Sequence, residues 1–294
     1  MWPLIEVAVE AKSGADRKNL GIALTELAAG DASFAFHADF ESGQIIMGGV
    51  DEQHLDRKAG LLLHDYKLDL NIGAFQVAYR ETLGIRAYVD YTHDKHLGPT
   101  SQFARVRIVF EPGEHEAGFT FDSQVDGDLL PQEYVSGVER GLAAAKESGL
   151  LAGFPVIDFK ATLIGGAYRD TDSSMQVFEI GARAAFRELR EKGAPFIVEP
   201  IMRVEVLTPD EHIGDAILDL NSRRGAIHDI EPREEGQRIT ADVPLANMFG
   251  YSNNLRAMSH GQASFSMRYS HYERSPRWPE PPDDLYSPAI GMRA

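Results

Sequence analysis

Tyr168, Arg169, Asp170, Thr171 and Asp172 set an aromatic face, a guanidinium, two carboxylates and a hydroxyl side by side. Groups of these types bind by stacking and hydrogen bonding, and a loop that presents them together is a good reaching device. Thr100 and Ser101 end a second polar loop that begins at His93, and Gln102 follows it. Arg223 and Arg224 suit phosphate oxygens geometrically, or they form a solvated helix end where arginine favours the dipole. Other sets are weaker. Asp170-x-Asp172-x-Ser174 begins like a calcium loop, but Met175 holds the sixth position and Gly181 the twelfth, so no metal is expected. His93 and His96 read as surface histidines, and no HExxH occurs. Phe249 and Tyr251 read as buried helix packing rather than base-stacking groups. Glu and Asp are abundant, so any acid–base pair would be arbitrary. The chain has no Gly-Lys pair and therefore no GxxxxGK[ST] phosphate loop.

The elements around the first loop are legible. Ile157, Phe159, Ala161 and Leu163 alternate as a half-buried strand. Gly165 and Gly166 are expected to break it. Ser173 and Gln176 have capping-box spacing for a helix starting near Ser174, continued by Phe178, Ala182, Ala185 and Leu189. Tyr168–Asp172 is thus expected at an exposed tip between two rigid elements.

Length and charge bound the rest. A chain of 294 residues accommodates two or three domains. No apolar run is long enough for a transmembrane helix, and no signal peptide follows Met1. Cysteine is absent, which excludes disulfides and fits a reducing compartment. The net charge is −16, spread evenly along the chain. A generic basic nucleic-acid binder is excluded, so any RNA contact must be local and read by shape.

In chain order, LIEVAVE alternates as a strand, and Leu20, Ala23, Leu24 and Leu27 space as a helix. Two strands follow, Phe34–Asp39 and Gln44–Gly49, joined by a turn at Glu41-Ser42-Gly43. Leu55, Ala59, Leu62, Leu63 and Tyr66 make a second helix, and Leu68 and Leu70 begin a last strand. That order, βαββαβ, is ferredoxin-like. Residues 76–195 carry strands at Ala87–Tyr91 and Phe103–Phe110, then a helix led by Pro131 and ended by Gly149. Residues 196–274 repeat βαββαβ, with a capping box at Thr208 and Glu211, a helix end at Gly225, and a second helix through Leu245, Met248, Leu255 and Met258. The Pro-rich tail, 275–294, is expected to be extended or disordered. The fold class is α+β: two ferredoxin-like domains, 1–75 and 196–274, flank a different α+β domain at 76–195.

The segments IEVAVE, GIALTELAAGDASF, ESGQIIMGGV, QVAYRET, LLPQEYVSGVERGL, VIDFKATLIGGAYRDTDSS, GDAILDLNSRRGAI and VPLANMFGYSNNLRAMSHG resemble, in order, domains III, IV and V of bacterial translation elongation factor G. The resemblance covers roughly residues 4–273. It departs at 50–58, where polar residues replace a Met-Gly-Glu-Leu-His-Leu-type segment, and at 96–101, where Pro99 stiffens a usually Gly- and Ser-rich loop. It departs also at Arg169, where the family commonly has His, at Gln262, where Arg is common, and in the tail.

The resemblance implies a cytoplasmic, monomeric ribosome binder. The domain IV tip would enter the decoding site and meet mRNA, tRNA and rRNA, and domain V would lie near the sarcin–ricin loop. Thr100, Ser101, Gln102, Tyr168, Arg169, Asp170, Asp172, Arg223 and Arg224 are the RNA-contact candidates, with no catalytic residue. No cofactor is expected in this chain; GTP and Mg belong to the family's N-terminal GTPase part, with which it would act in translocation. Two origins stay open. One is a C-terminal piece of such a GTPase. The other is a divergent paralogue that binds ribosomes without translocating, or that serves as a non-ribosomal interaction protein.

Overall fold

LIEVAVE forms strand β1 (Ile5–Ala11), and Ser13 caps helix α1 (Gly14–Ala29) by accepting from the Asp16 amide. Strands β2 (Ala35–Ala38) and β3 (Ile45–Gly49), helix α2 (Glu52–His64) and strand β4 (Leu70–Ile72) complete βαββαβ. The sheet order is β2-β3-β1-β4, antiparallel throughout, and a short β5 (Gln76–Val77) also pairs with β1. Leu20, Ala23 and Leu24 of α1 and Leu55, Ala59 and Leu62 of α2 are buried. Leu63 and Tyr66, expected in the same stripe, are exposed, and Tyr66 lies past the helix end, where its hydroxyl donates to Glu26. This computed structural model describes residues 3–38, 44–97, 100–127 and 129–276. It divides into one unit of Met1–Ala78 with Glu199–Ala294, and another of Tyr79–Val198. The turn at Glu41–Gly43, Pro99 and the tail from Arg277 lie outside the described residues.

The polar run at 50–58 turns partly inward. Asp51 caps α2, His54 is buried, and Asp31 accepts from Lys58 Nζ at 2.8 Å, Ser33 Oγ at 2.6 Å and its amide at 3.0 Å. His54 Nδ1 accepts from the Val50 amide, so its other nitrogen donates to Asp31 at 3.0 Å. Lys58 and Ser33 together hold the Asp31 carboxyl well below the usual range. A depressed carboxylate stabilises the fold above its unfolded pKa of 3.8, and that stability drains as pH falls below it. Asp31→Asn is therefore expected to cost about 1–2 kcal/mol near neutral pH. The gap from the parent should close on acidification, as urea midpoints across the acid range would show.

The second unit begins with β6 (Arg80–Thr82) and the long hairpin β7 (Ala87–Leu97) and β8 (Thr100–Pro112). Strand β9 (Phe119–Ser123), helix α3 (Gln132–Ala145), strand β10 (Phe159–Ala167) and helices α4 (Met175–Arg187) and α5 (Leu189–Lys192) follow. The sheet order is β7-β8-β10-β9, with β9 and β10 parallel and the other pairs antiparallel. Val135, Val138 and Leu142 of α3 and Phe178, Ala182 and Phe186 of α4 share one core with Val89, Val106, Phe110, Phe159 and Leu163.

Three local expectations fail in this unit. His93–Ser101 is not an open loop, because cross-strand pairs from Ala87↔Phe110 to Leu97↔Thr100 carry the hairpin almost to its turn. His93 is buried rather than a surface histidine. Gly165 and Gly166 do not break β10: the strand bulges between Leu163 and Gly165 and continues to Ala167. A Cβ at Gly166 would stand 2.8 Å from the Arg105 carbonyl oxygen, so close approach explains glycine there.

Strand β11 (Phe196–Thr208) starts by pairing with β6, and from Glu199 it belongs to the first unit. There it is followed by helix α6 (Ile213–Ser222), strands β12 (Ala226–Arg233) and β13 (Gly236–Pro244), helix α7 (Tyr251–Met258) and strand β14 (Ser264–Arg274). The order β12-β13-β11-β14 repeats the ferredoxin-like arrangement. Thr208 makes no capping box, since a 3-10 turn at Asp210–His212 intervenes before α6. The helix expected from Leu245 is interrupted at Gly250, which precedes α7 with a φ of 69°. The chain leaves α6 through Arg224, at a φ of 64°, rather than through a left-handed Gly225.

Candidate nucleic-acid interface

Strand β10 delivers the chain to Tyr168, and α4 takes it up again after Ser174, whose hydroxyl accepts from the Val177 amide. The cap is Ser174 and not Ser173. Ser173 is diverted, because its hydroxyl donates to the Phe103 carbonyl at 2.6 Å and accepts from the Arg169 amide at 2.9 Å. Between these ends the loop closes on itself, with the Asp172 and Ser173 amides donating to the Arg169 carbonyl. The Phe103 amide in turn donates to the Asp172 carbonyl at 2.9 Å. The loop is thus fastened to β8 through both polar groups of one residue's backbone.

Side chains add a second fastening. The Arg169 guanidinium lies over the Phe103 ring, 3.9 Å from its centroid, and reaches Asp94 Oδ2 at 3.0 Å and Asp172 Oδ2 at 3.8 Å. Asp94 and Phe103 are cross-strand partners in the hairpin. Tyr168 packs on Tyr134, which stacks on the buried Phe178 at 4.7 Å. Burial, aided by Glu133, raises the Tyr134 hydroxyl above its usual range. Asp170 and Thr171 are left outermost and exposed.

On the hairpin side, Ser101 Oγ lies 2.8 Å from His96 Nδ1, and Gln102 Oε1 lies 3.1 Å from His93 Nε2. Thr100 pairs with Leu97 at the strand end. The structure therefore brings Ser101, Gln102, Arg169 and Asp172 to one end of the sheet, with Tyr168 anchored behind them. Asp94, Phe103 and Ser173, which shape this end, were not legible as site residues. Counting hairpin register through the polar run at 93–96 is the signal that finds Asp94 and Phe103. Charges at the tip are mixed: Lys95, His96 and Arg169 stand among Asp94, Asp170 and Asp172. A phosphate-driven contact needs a basic excess, so this end is suited to shape, stacking and hydrogen bonding.

Arg223 and Arg224 form a separate pair in the first unit. Arg223 donates to Asp219 Oδ2 at 2.8 Å and to the Asn247 carbonyl at 2.6 Å, and stacks 5.0 Å from the Tyr251 ring. Burial pushes the Tyr251 hydroxyl well above its usual range. Arg224 donates to Glu199 Oε1 at 2.8 Å. Both guanidinia have carboxylate partners inside the fold. Among the described residues, no three His, Asp or Glu side chains converge as a metal set.

Three family models match the chain in sequence. They are Elongation Factor G, domain III, over residues 2–74; Elongation factor G, domain IV, over 75–194; and Elongation factor G C-terminus, over 196–280. Elongation factor G of Hyphomonas neptunium (strain ATCC 15444) is 54% identical over 275 residues, covering 94% of this chain and 39% of that protein. Elongation factor G of Rhodopseudomonas palustris (strain BisB18) is 53% identical over 274 residues, covering 93% and 40%. A crystal structure from Thermus thermophilus superposes with a TM-score of 0.71 at 33% identity, covering 93% of this chain and 41% of that one. The chain thus spans about two fifths of the length of the relatives it matches.

Proposed function

The chain belongs to the elongation factor G family, carrying its domains III, IV and C-terminal domain, and we propose that it is the ribosome-facing part of a translation factor acting in translocation. The observation that carries this reading is the doubly fastened tip, in which the Tyr168–Asp172 loop is tied to the β7–β8 hairpin at the end of the domain IV sheet. A pre-ordered protrusion loses little conformational freedom on entering a crowded RNA site. Its work there is to hold tRNA and mRNA in register by position and hydrogen bonds, through Thr100, Ser101, Gln102 and the loop Tyr168–Asp172. The C-terminal domain is proposed to face large-subunit rRNA; its Arg223 and Arg224 are already paired with Asp219 and Glu199, which favours a role in holding the end of α6 over a phosphate contact.

The proposed setting is the cytoplasm, as a monomer, joined to or assisted by a GTPase domain. No helix among the described residues is long and apolar enough to cross a membrane. We place GTP and Mg in the family's GTPase part: the sequence carries no GxxxxGK[ST] phosphate loop, and among the described residues no His, Asp and Glu side chains converge as a metal set. No step of nucleotide chemistry is assigned to them.

The absence of cysteine makes a direct test available. Thr171→Cys and Leu218→Cys each create a single thiol at an exposed position, one at the tip and one on α6. With a hydroxyl-radical source tethered there and bacterial ribosomes added, Thr171→Cys should cleave small-subunit rRNA around the decoding site. Leu218→Cys should cleave large-subunit rRNA. Cleavage no stronger than from free reagent at either thiol would remove the reading.

A further inference from the structure

We infer that Arg169 is a positioning residue that staples the Tyr168–Asp172 loop to the β7–β8 hairpin, rather than a group that meets RNA phosphate. The inference rests on the proposed ribosomal role for its functional arm, but its geometric arm stands alone. Arg169 grips both strands of the hairpin. Its guanidinium takes Asp94 on β7, while its ring-stacking face and its amide, through Ser173, take Phe103 on β8. Asp172 closes a third side at 3.8 Å.

This placement is poor for binding a phosphate. An oxyanion reaching the guanidinium would share it with two carboxylates already at 3.0 and 3.8 Å. Two carboxylates already neutralise the cation, so the attraction left for a third anion is offset by its repulsion from them. The placement is good for ordering a loop. Only arginine offers a flat face for the Phe103 ring and, at the same time, a fork for the Asp94 carboxylate. A lysine ammonium supplies one contact or the other. The pair is partly exposed, as is the stack, so each contact is modest and shifts local opening by severalfold rather than unfolding the unit. RNA would then be met by what the staple leaves outward: Asp170, Thr171 and the loop backbone, with Ser101 beside them.

Two readouts decide this, both on the full chain. First, amide hydrogen exchange compares the parent with Arg169→Ala, Arg169→Lys and Asp94→Ala. All three variants should exchange severalfold faster at the Phe103, Asp172 and Ser173 amides, with the thermal midpoint unmoved. Unchanged exchange in all three overturns the staple. Second, ribosome affinity is measured by co-sedimentation at two salt concentrations. The staple requires all three variants to weaken binding alike, with lysine giving no rescue. A phosphate contact would instead leave Arg169→Lys near the parent, and Asp94→Ala would bind more tightly because it frees the cation; that pattern also overturns the inference. If the parent itself fails to bind, the ribosomal reading falls while the exchange result still decides the staple.

Discussion

Replacing Glu81 with alanine is expected to destabilise the Tyr79–Val198 unit by about 3–5 kcal/mol, because four backbone amides lose their acceptor at once. Glu81 sits on β6, fully buried. Its Oε2 accepts from the Leu150 and Leu151 amides at 2.5 and 2.9 Å, and its Oε1 from the Ala152 and Phe154 amides at 2.8 and 3.2 Å. One side chain therefore satisfies four donors in the segment between α3 and β10. Its backbone works on the same segment: the Glu81 amide donates to the Pro155 carbonyl, and the Ile157 amide to the Glu81 carbonyl. Alanine removes the acceptors and leaves the donors, and a buried unsatisfied donor costs its full desolvation. Glutamine is the sharper probe. Its amide nitrogen must face one pair of amides, donor against donor, so it should recover only the pair that faces its oxygen, roughly half the loss. The neighbouring Gly149 is part of the design. Its φ is 68°, and a Cβ there would lie 2.6 Å from the Phe154 carbonyl and 2.8 Å from Glu81 Oε1. Pulsed hydrogen exchange through a urea titration separates the two units. Peptides from residues 79–198 should unfold at lower urea in Glu81→Ala, while those from the other unit keep their midpoint. A parental midpoint for residues 79–198 would mean these amides find water as readily as Glu81.

How much of this was legible depended on how local each cause is. The helices α1 to α4 were, because Leu20, Leu24, Leu55, Leu62, Val138 and Phe178 recur at helical spacing and pack where that spacing puts them. The ferredoxin-like order was legible for the same reason, since strand alternation survives in Ile5–Val9 and Val204–Val206. Where two local choices were equal, tertiary contact decided. Ser173 and Ser174 have the same capping chemistry, and the Phe103 carbonyl claims the first. Gly165 and Gly166 carry a turn signal, but what they answer to is the neighbouring strand. The far end of the β7–β8 hairpin is mostly polar, so alternation fades there; it is held by its pairing. The two tip segments could be named from the sequence, but the meeting of Asp94 and Phe103 with Arg169 could not, because it is a consequence of register. Glu81 gave no sign at all. A glutamate in a short strand looks like any solvated glutamate until the segment at 149–154 folds around it.

Arg224 is expected to show the same rule in the other unit, and to separate stability from binding. Its carboxylate partner, Glu199, is 1% exposed, and Glu199 Oε2 has no hydrogen-bond partner among the described residues. The ion pair is thus the carboxylate's main compensation. Arg224→Ala should cost about 3 kcal/mol, most of it from the charge left behind rather than from the bond itself. Changing both partners, Arg224→Ala with Glu199→Gln, should recover much of that loss, because no buried charge is then stranded. The backbone adds a second signature. Arg224 has a φ of 64°, so glycine relieves strain that alanine keeps. Arg224→Gly should therefore be more stable than Arg224→Ala by about 1 kcal/mol, although both lose the same guanidinium. Were Arg224 instead held for an rRNA phosphate, the order would differ. All the single variants would melt with the parent, and ribosome affinity alone would fall, with its salt dependence reduced. Arg223 makes the comparison fair: its bonds to Asp219 and the Asn247 carbonyl anchor the same helix end, so it can be left in place while Arg224 is varied. Urea midpoints of the Met1–Ala78 and Glu199–Ala294 peptides, read beside co-sedimentation, distinguish the two outcomes, because one moves stability first and the other moves it not at all.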